Sequence, residues 1–269
     1  MRHAEDRGLT ATGLWAQERG EGPLVVLVHG AMDRSGGMLR VRRALEHDHR
    51  VIRYDRRGYG RSLPAGPPVT FDQQVDDLAA VLRGRQAVLV GHSFGGVVCL
   101  ALAERRPDLA RAVLAYEAPR MWASWWPGGS VGLQASRQED AGDAAEWFLR
   151  RMIGDAMWER LPAAMRAERR AEGPALVAEI ASVRPPRPPP YDAAAIRVPV
   201  LAVAGSASRP HHVRATDELA AVAPHGARVV LDGAGHGAHL SHAAELADLV
   251  RLAVRRADEF AVLPVEGPV

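Results

Sequence analysis

The chain has 269 residues, 47% hydrophobic and 25% charged, with 34 Lys plus Arg against 32 Asp plus Glu. This composition excludes a disordered or fibrous chain, and the length suits one large α/β domain with an insertion, or two small domains. The net charge of +2 offers no basic face for nucleic acid, and every non-histidine cation is Arg, since the sequence holds no Lys.

Residues 1–8 are polar and charged. No signal peptide is expected there, and no run approaches the roughly 18 apolar residues of a membrane span, so the expectation is a cytoplasmic protein with no membrane partner. Leu24–Val28 reads as a strand, followed by a turn and a helical pattern to residue 46. Residues 51–54 form the next strand and end in a Gly/Arg-rich loop. Over 72–82, Val75, Leu78, Ala79 and Leu82 recur at i, i+3, i+4 and i+7, which predicts a helix. A strand at 87–90 runs straight into a helix over 94–105. Further strands follow at 112–116, 200–204 and 228–231, with helices at 214–223 and 241–255 after the last two. Continuously apolar strands alternating with helices predict a parallel sheet buried on both faces.

Residues 119–192 break this rhythm. They hold no strand pattern, a Trp-rich run at 121–127, amphipathic helices near 143–153, 156–171 and 174–182, and a stiff proline run at 185–190. The organisation expected is therefore a core of residues 1–119 and 193–269 with a helical cap, 120–192, inserted on the carboxyl edge of the sheet. The tail, 258–269, reads as frayed. Cys99 is the single cysteine, so there is no intramolecular disulfide and no thiolate metal site.

Chemistry enters at Gly91-His92-Ser93-Phe94-Gly95-Gly96, a G-x-S-x-G between strand and helix. The abrupt corner forces strained geometry on Ser93, and glycines two residues to either side leave room for it. The hydroxyl then projects beside the free N–H groups of a helix N-terminus. Three further segments accompany it: His29-Gly30 closing the first long strand, Asp55-Arg56-Arg57-Gly58-Tyr59-Gly60-Arg61-Ser62 after the second, and Gly233-Ala234-Gly235-His236 after the last. Together these segments resemble the α/β-hydrolase superfamily over nearly the whole chain. The resemblance implies an α/β-hydrolase fold: a mostly parallel twisted sheet flanked by helices.

It also implies roles. Ser93 is the nucleophile, and His236 is the base that takes its proton. The backbone N–H groups of Ala31 and Phe94 form the oxyanion hole, with Met32 as the alternative donor. His239 and His242 follow His236 at spacings of three, but no acidic or cysteine ligand completes a metal set, so no metal is expected. The acid that orients the base departs from the pattern. The usual position falls near Ser208 in Gly205-Ser206-Ala207-Ser208-Arg209-Pro210, and serine cannot carry the charge. Glu117 ends the strand that, in the family's order, lies about 5 Å from the nucleophile's strand, and some members place their acid there. The triad read is Ser93–His236–Glu117. Asp217 is the next candidate; Asp232 lies too near His236 in sequence, and Asp55 belongs to a structural loop.

Met32, His92, Trp122, Trp125 and Trp126 are the candidate substrate contacts, the tryptophans because they follow Glu117 directly. His211 and His212 are placed at the pocket rim. The function expected is a serine hydrolase that cleaves an ester, lactone or thioester with an apolar moiety through an acyl-enzyme, without a cofactor. The alternatives are C–C bond hydrolysis or perhydrolysis by the same triad, or a weakly active ligand-binding protein on this scaffold.

Overall fold

The computed structural model describes residues 6–262. Its centre is an eight-stranded sheet made of β1 (Asp6–Leu9), β2 (Trp15–Arg19), β3 (Leu24–Val28), β4 (Arg50–Tyr54), β5 (Ala87–His92), β6 (Ala110–Tyr116), β7 (Val200–Gly205) and β8 (Gly226–Leu231). The order across the sheet is β1-β2-β4-β3-β5-β6-β7-β8. Strands β3 to β8 are mutually parallel, and only the β1–β2 and β2–β4 pairings are antiparallel.

The central strands are buried along their whole length, which is why no polar alternation marks them. One face packs on α2 (Phe71–Leu82), α3 (Phe94–Arg105) and α9 (Pro210–Val222). The other packs on α1 (Leu39–Leu45), α10 (Ala238–Ser241) and α11 (Ala243–Ala261). Residues 258–261 continue α11 rather than fraying, because Ala257 still packs on the core; residues 263–269 of the expected tail lie outside the described residues. The strands β1 and β2 carry no apolar run. They lie at one end of the sheet, and of β2 only the centre is buried. No described helix is long and apolar enough to cross a membrane.

Between β6 and β7 the chain forms α4 (Val131–Ala135), α5 (Ala141–Ile153), α6 (Asp155–Arg160), α7 (Ala163–Ala171) and α8 (Gly173–Ser182). Asp140 caps α5 by accepting from the Gly142 and Asp143 amides. The helix expected over 156–171 is two helices. Leu161 precedes Pro162, and the proline ring drives it out of the helical region to φ −67°, ψ 139°.

Two buried carboxylates tie α8 to the core. Glu179 pairs with the buried Arg56 and accepts from the Tyr59 hydroxyl at 2.9 Å. Glu172 accepts from Arg34 Nε at 2.6 Å and from the Gly60 amide at 2.8 Å. Arg56, Tyr59 and Gly60 all belong to the Gly/Arg-rich loop after β4, so that loop is the seat of the helical insertion.

Candidate active site

The site lies at the carboxyl ends of β3, β5, β6, β7 and β8. Ser93 follows β5 directly with φ 51°, ψ −124°, a region that a non-glycine residue enters only when its surroundings hold it there. Its amide donates to the Tyr116 carbonyl at 2.8 Å, which fixes the corner to the neighbouring strand. The flanking glycines are demanded by close backbone approach. A Cβ on Gly91 would lie 2.4 Å from the Gly96 Cα, and one on Gly95 would lie 2.3 Å from the Val28 carbonyl oxygen. The Phe94 amide, the first of α3, and the Ala31 amide have no acceptor among the described residues, and both residues line the same cavity as Ser93.

Glu117 extends β6 by one residue, fully buried and with φ 49°. Its amide donates to the Val203 carbonyl at 2.9 Å. One carboxylate oxygen accepts from His236 Nδ1 at 2.6 Å. The other accepts from the Gly205 amide at 3.0 Å and from the Ser208 hydroxyl. Burial alone would push this carboxyl up, but the bond to His236, the charge of that ring, Ser208 and Gly205 together hold it below its ordinary value. When the ring is neutral, giving Nδ1–H to Glu117 puts its lone pair on Nε2. Among the described residues no hydrogen bond yet joins that ring to the Ser93 hydroxyl, although both line one cavity; such bonds are commonly long in unliganded sites.

The loop that carries His236 is pinned from below. The Tyr116 hydroxyl donates to the Gly235 carbonyl at 2.7 Å, and His92 Nε2–H donates to the His236 carbonyl at 2.8 Å. His212 stacks on the His236 ring with centroids 4.4 Å apart. Burial and then the charge of His236 push His212 down to about 3.

The cavity has a volume of about 270 Å³. The helical insertion supplies apolar groups to its wall, among them Met121, Trp126, Phe148, Leu176 and Ile180; the core supplies Ser93, His211, His212 and His236. Of the five candidate contacts, only Trp126 is in this wall. Met32 is buried in the core with φ 54°, and its carbonyl is held by Arg169. His92 is buried beneath His236, where it anchors the loop instead of facing a ligand. Trp122 packs edge-on against Tyr191 in a separate surface groove, and Trp125 lies under the Arg214 guanidinium, 4.2 Å from the ring centroid. Adjacency to Glu117 in sequence does not decide which way these rings point. Phe148 on α5, and Leu176 and Ile180 on α8, were missed; the apolar stripes of those helices were the available signal.

The other acids are engaged elsewhere. Asp217 sits on α9 and pairs with Arg228, Asp232 accepts from the Ser206 hydroxyl, and Asp55 accepts from the Ser35 amide and from Arg61. The histidines regroup as well. His239 is buried, 3.2 Å from Asp33 and tilted against His92, with centroids 4.2 Å apart. The trios Asp33–His92–His239 and Glu117–His212–His236 each place one donor atom per residue within 4.8 Å of the others. The second trio contains Glu117 and His236, which are already bonded to each other.

A mostly parallel sheet with a serine at a strand–helix corner and a bonded carboxylate–histidine pair in the same site is the arrangement of the α/β-hydrolase class. The chain belongs to the alpha/beta hydrolase family, whose model matches residues 25–249. It is 32% identical over 83% of its length to polyketide synthase ThaQ of Burkholderia thailandensis, although it spans only 11% of that protein. It is 26% identical to the pimeloyl-[acyl-carrier protein] methyl ester esterase of Aliivibrio salmonicida, over 93% of this chain and 99% of the other. Among solved structures, the enol-lactonase from Burkholderia xenovorans superposes with a TM-score of 0.69 at 25% identity, over 93% of this chain and 99% of the other.

Proposed function

We propose that this hydrolase cleaves a carboxylic ester, lactone or thioester with an apolar moiety, through an acyl-enzyme on Ser93. The observation that carries the reading is the 2.6 Å bond from Glu117 to His236 Nδ1, which leaves Nε2 basic and in the same cavity as the strained serine. Similarity to a methyl ester esterase and to an enol-lactonase supports the reaction class.

In the proposed cycle His236 Nε2 takes the Ser93 proton as Oγ attacks the carbonyl carbon. The oxyanion forms toward the Ala31 and Phe94 amides, which need no reorganisation to receive it; losing one such donor costs about 3–4 kcal/mol in the transition state. Protonated His236 is stabilised by Glu117, gives its proton to the leaving group, and then activates the water that releases the acid. The apolar wall from α5 and α8 excludes bulk water around the acyl group.

A fluorophosphonate probe tests this reading. It is expected to label the wild-type chain and to leave Ser93→Ala unlabelled. Wild-type protein that hydrolyses no p-nitrophenyl ester and takes no label would be a binding protein on a hydrolase scaffold.

A further inference from the structure

The wall of the cavity carries charge of one sign. Arg151 on α5 and Arg209 at the start of α9 both line it, and no Asp or Glu does. Neither guanidinium has a carboxylate partner among the described residues; Arg151 only covers the Trp147 ring, at 5.2 Å from its centroid. Their neighbours differ. Arg150 pairs with Glu146, Asp155 and Glu159, and Arg214 pairs with Glu218. The charge of Arg209 reaches into the site, where after burial it is the next cause that pushes His211 down. Glu117 cannot answer these cations: it is fully buried and already bonded to His236, Ser208 and Gly205. The rest of the wall is largely apolar, with Trp126, Met121 and Met152.

We infer that the substrate carries an anionic group, a carboxylate or a phosphate, on its apolar part, held by Arg151 and Arg209. The inference rests on the proposed esterase only for where the carbonyl sits. Arginine meets either anion with paired N–H donors, and one arginine comes from the insertion and the other from the core. An anion bridging them therefore also joins the two halves of the cavity wall. Both side chains reach solvent, so the preference is modest and falls with salt.

Titration calorimetry of the Ser93→Ala protein with three matched ligands tests this: methyl hexanoate, monomethyl adipate, and methyl 5-(phosphonooxy)pentanoate. At low salt at least one anionic ligand is expected to bind about fivefold or more tighter than methyl hexanoate. The gap should shrink in high salt and vanish in Arg151→Gln/Arg209→Gln on the same background. The tighter of the two anionic ligands identifies the natural headgroup chemistry. Equal binding of all three, binding of none, or a preference that survives the double substitution overturns the inference. Fluorophosphonate labelling of wild type reads the esterase separately. An anion preference without labelling sinks the nucleophile alone, and labelling without an anion preference sinks the anion site alone.

Discussion

Glu117 holds a left-handed backbone conformation that costs a non-glycine residue about 1–3 kcal/mol. The bond from its amide to Val203 and three donors on its carboxylate offset that cost. One of those donors is Ser208, where the family's usual acid position falls, so the loop after β7 still reaches this carboxylate through a hydroxyl. Glu117→Gln keeps the shape but removes the charge that stabilises protonated His236. Turnover of a p-nitrophenyl ester is expected to fall about 10³–10⁴-fold with unchanged circular dichroism. Asp217→Asn, which breaks only the surface pair with Arg228, should change turnover by less than about twofold; the opposite ranking would move the acid to α9. The elbow and the Gly233-Ala234-Gly235-His236 loop were legible because their signals are local, a strand, a turn and a helix read in sequence. The Ser208–Glu117 bond spans 91 residues, and His239 meets Asp33 from a loop far earlier in the chain, so no local pattern announces either.

At the scale of elements, the parallel sheet was readable because strands buried on both faces leave uninterrupted aliphatic runs, as in Leu24–Val28. The edge pair β1 and β2 was not, since short strands with polar residues such as Gln17 and Glu18 look like loop. The attachment of the insertion was also invisible, because it depends on carboxylates of α8 meeting a loop more than a hundred residues earlier. Glu179 is the critical member. It is fully buried, and truncating it leaves the buried Arg56 guanidinium without its carboxylate. Glu179→Ala is therefore expected to cost about 3–5 kcal/mol, read as a fall in the urea midpoint. Arg56→Met/Glu179→Leu, which removes both charges, should recover part of that loss. A cost under about 1 kcal/mol for the single variant would mean that apolar packing of Leu176 and Ile180, and not the ion pair, seats α8.

Across the whole molecule, eleven histidines and an all-arginine set of cations make stability depend on acid in a way that net charge does not describe. His29 is pushed down to about 4 by burial and then by Arg56, His212 to about 3, and His92 well below the usual imidazole value. Each folded-state value lies below that of the unfolded chain, near 6.5. As pH falls under 6.5 the unfolded chain takes up protons that the folded chain refuses, so stability is full above that value and declines toward the folded values. Each such group lowers stability by about 1.4 kcal/mol per pH unit in that window. Burial pushes the Glu172 and Glu179 carboxyls up, which acts in the opposite sense, so the useful measurement is a difference between two proteins. His212 suits it, since its Nδ1 has no partner to lose. In urea unfolding between pH 7.5 and 5, His212→Gln should follow wild type above pH 6.5. Below that its stability should fall less steeply, by about one proton's worth of slope. Identical slopes in the two proteins would show that His212 takes up its proton in the folded state, and that the base sits beside a cation rather than a neutral ring.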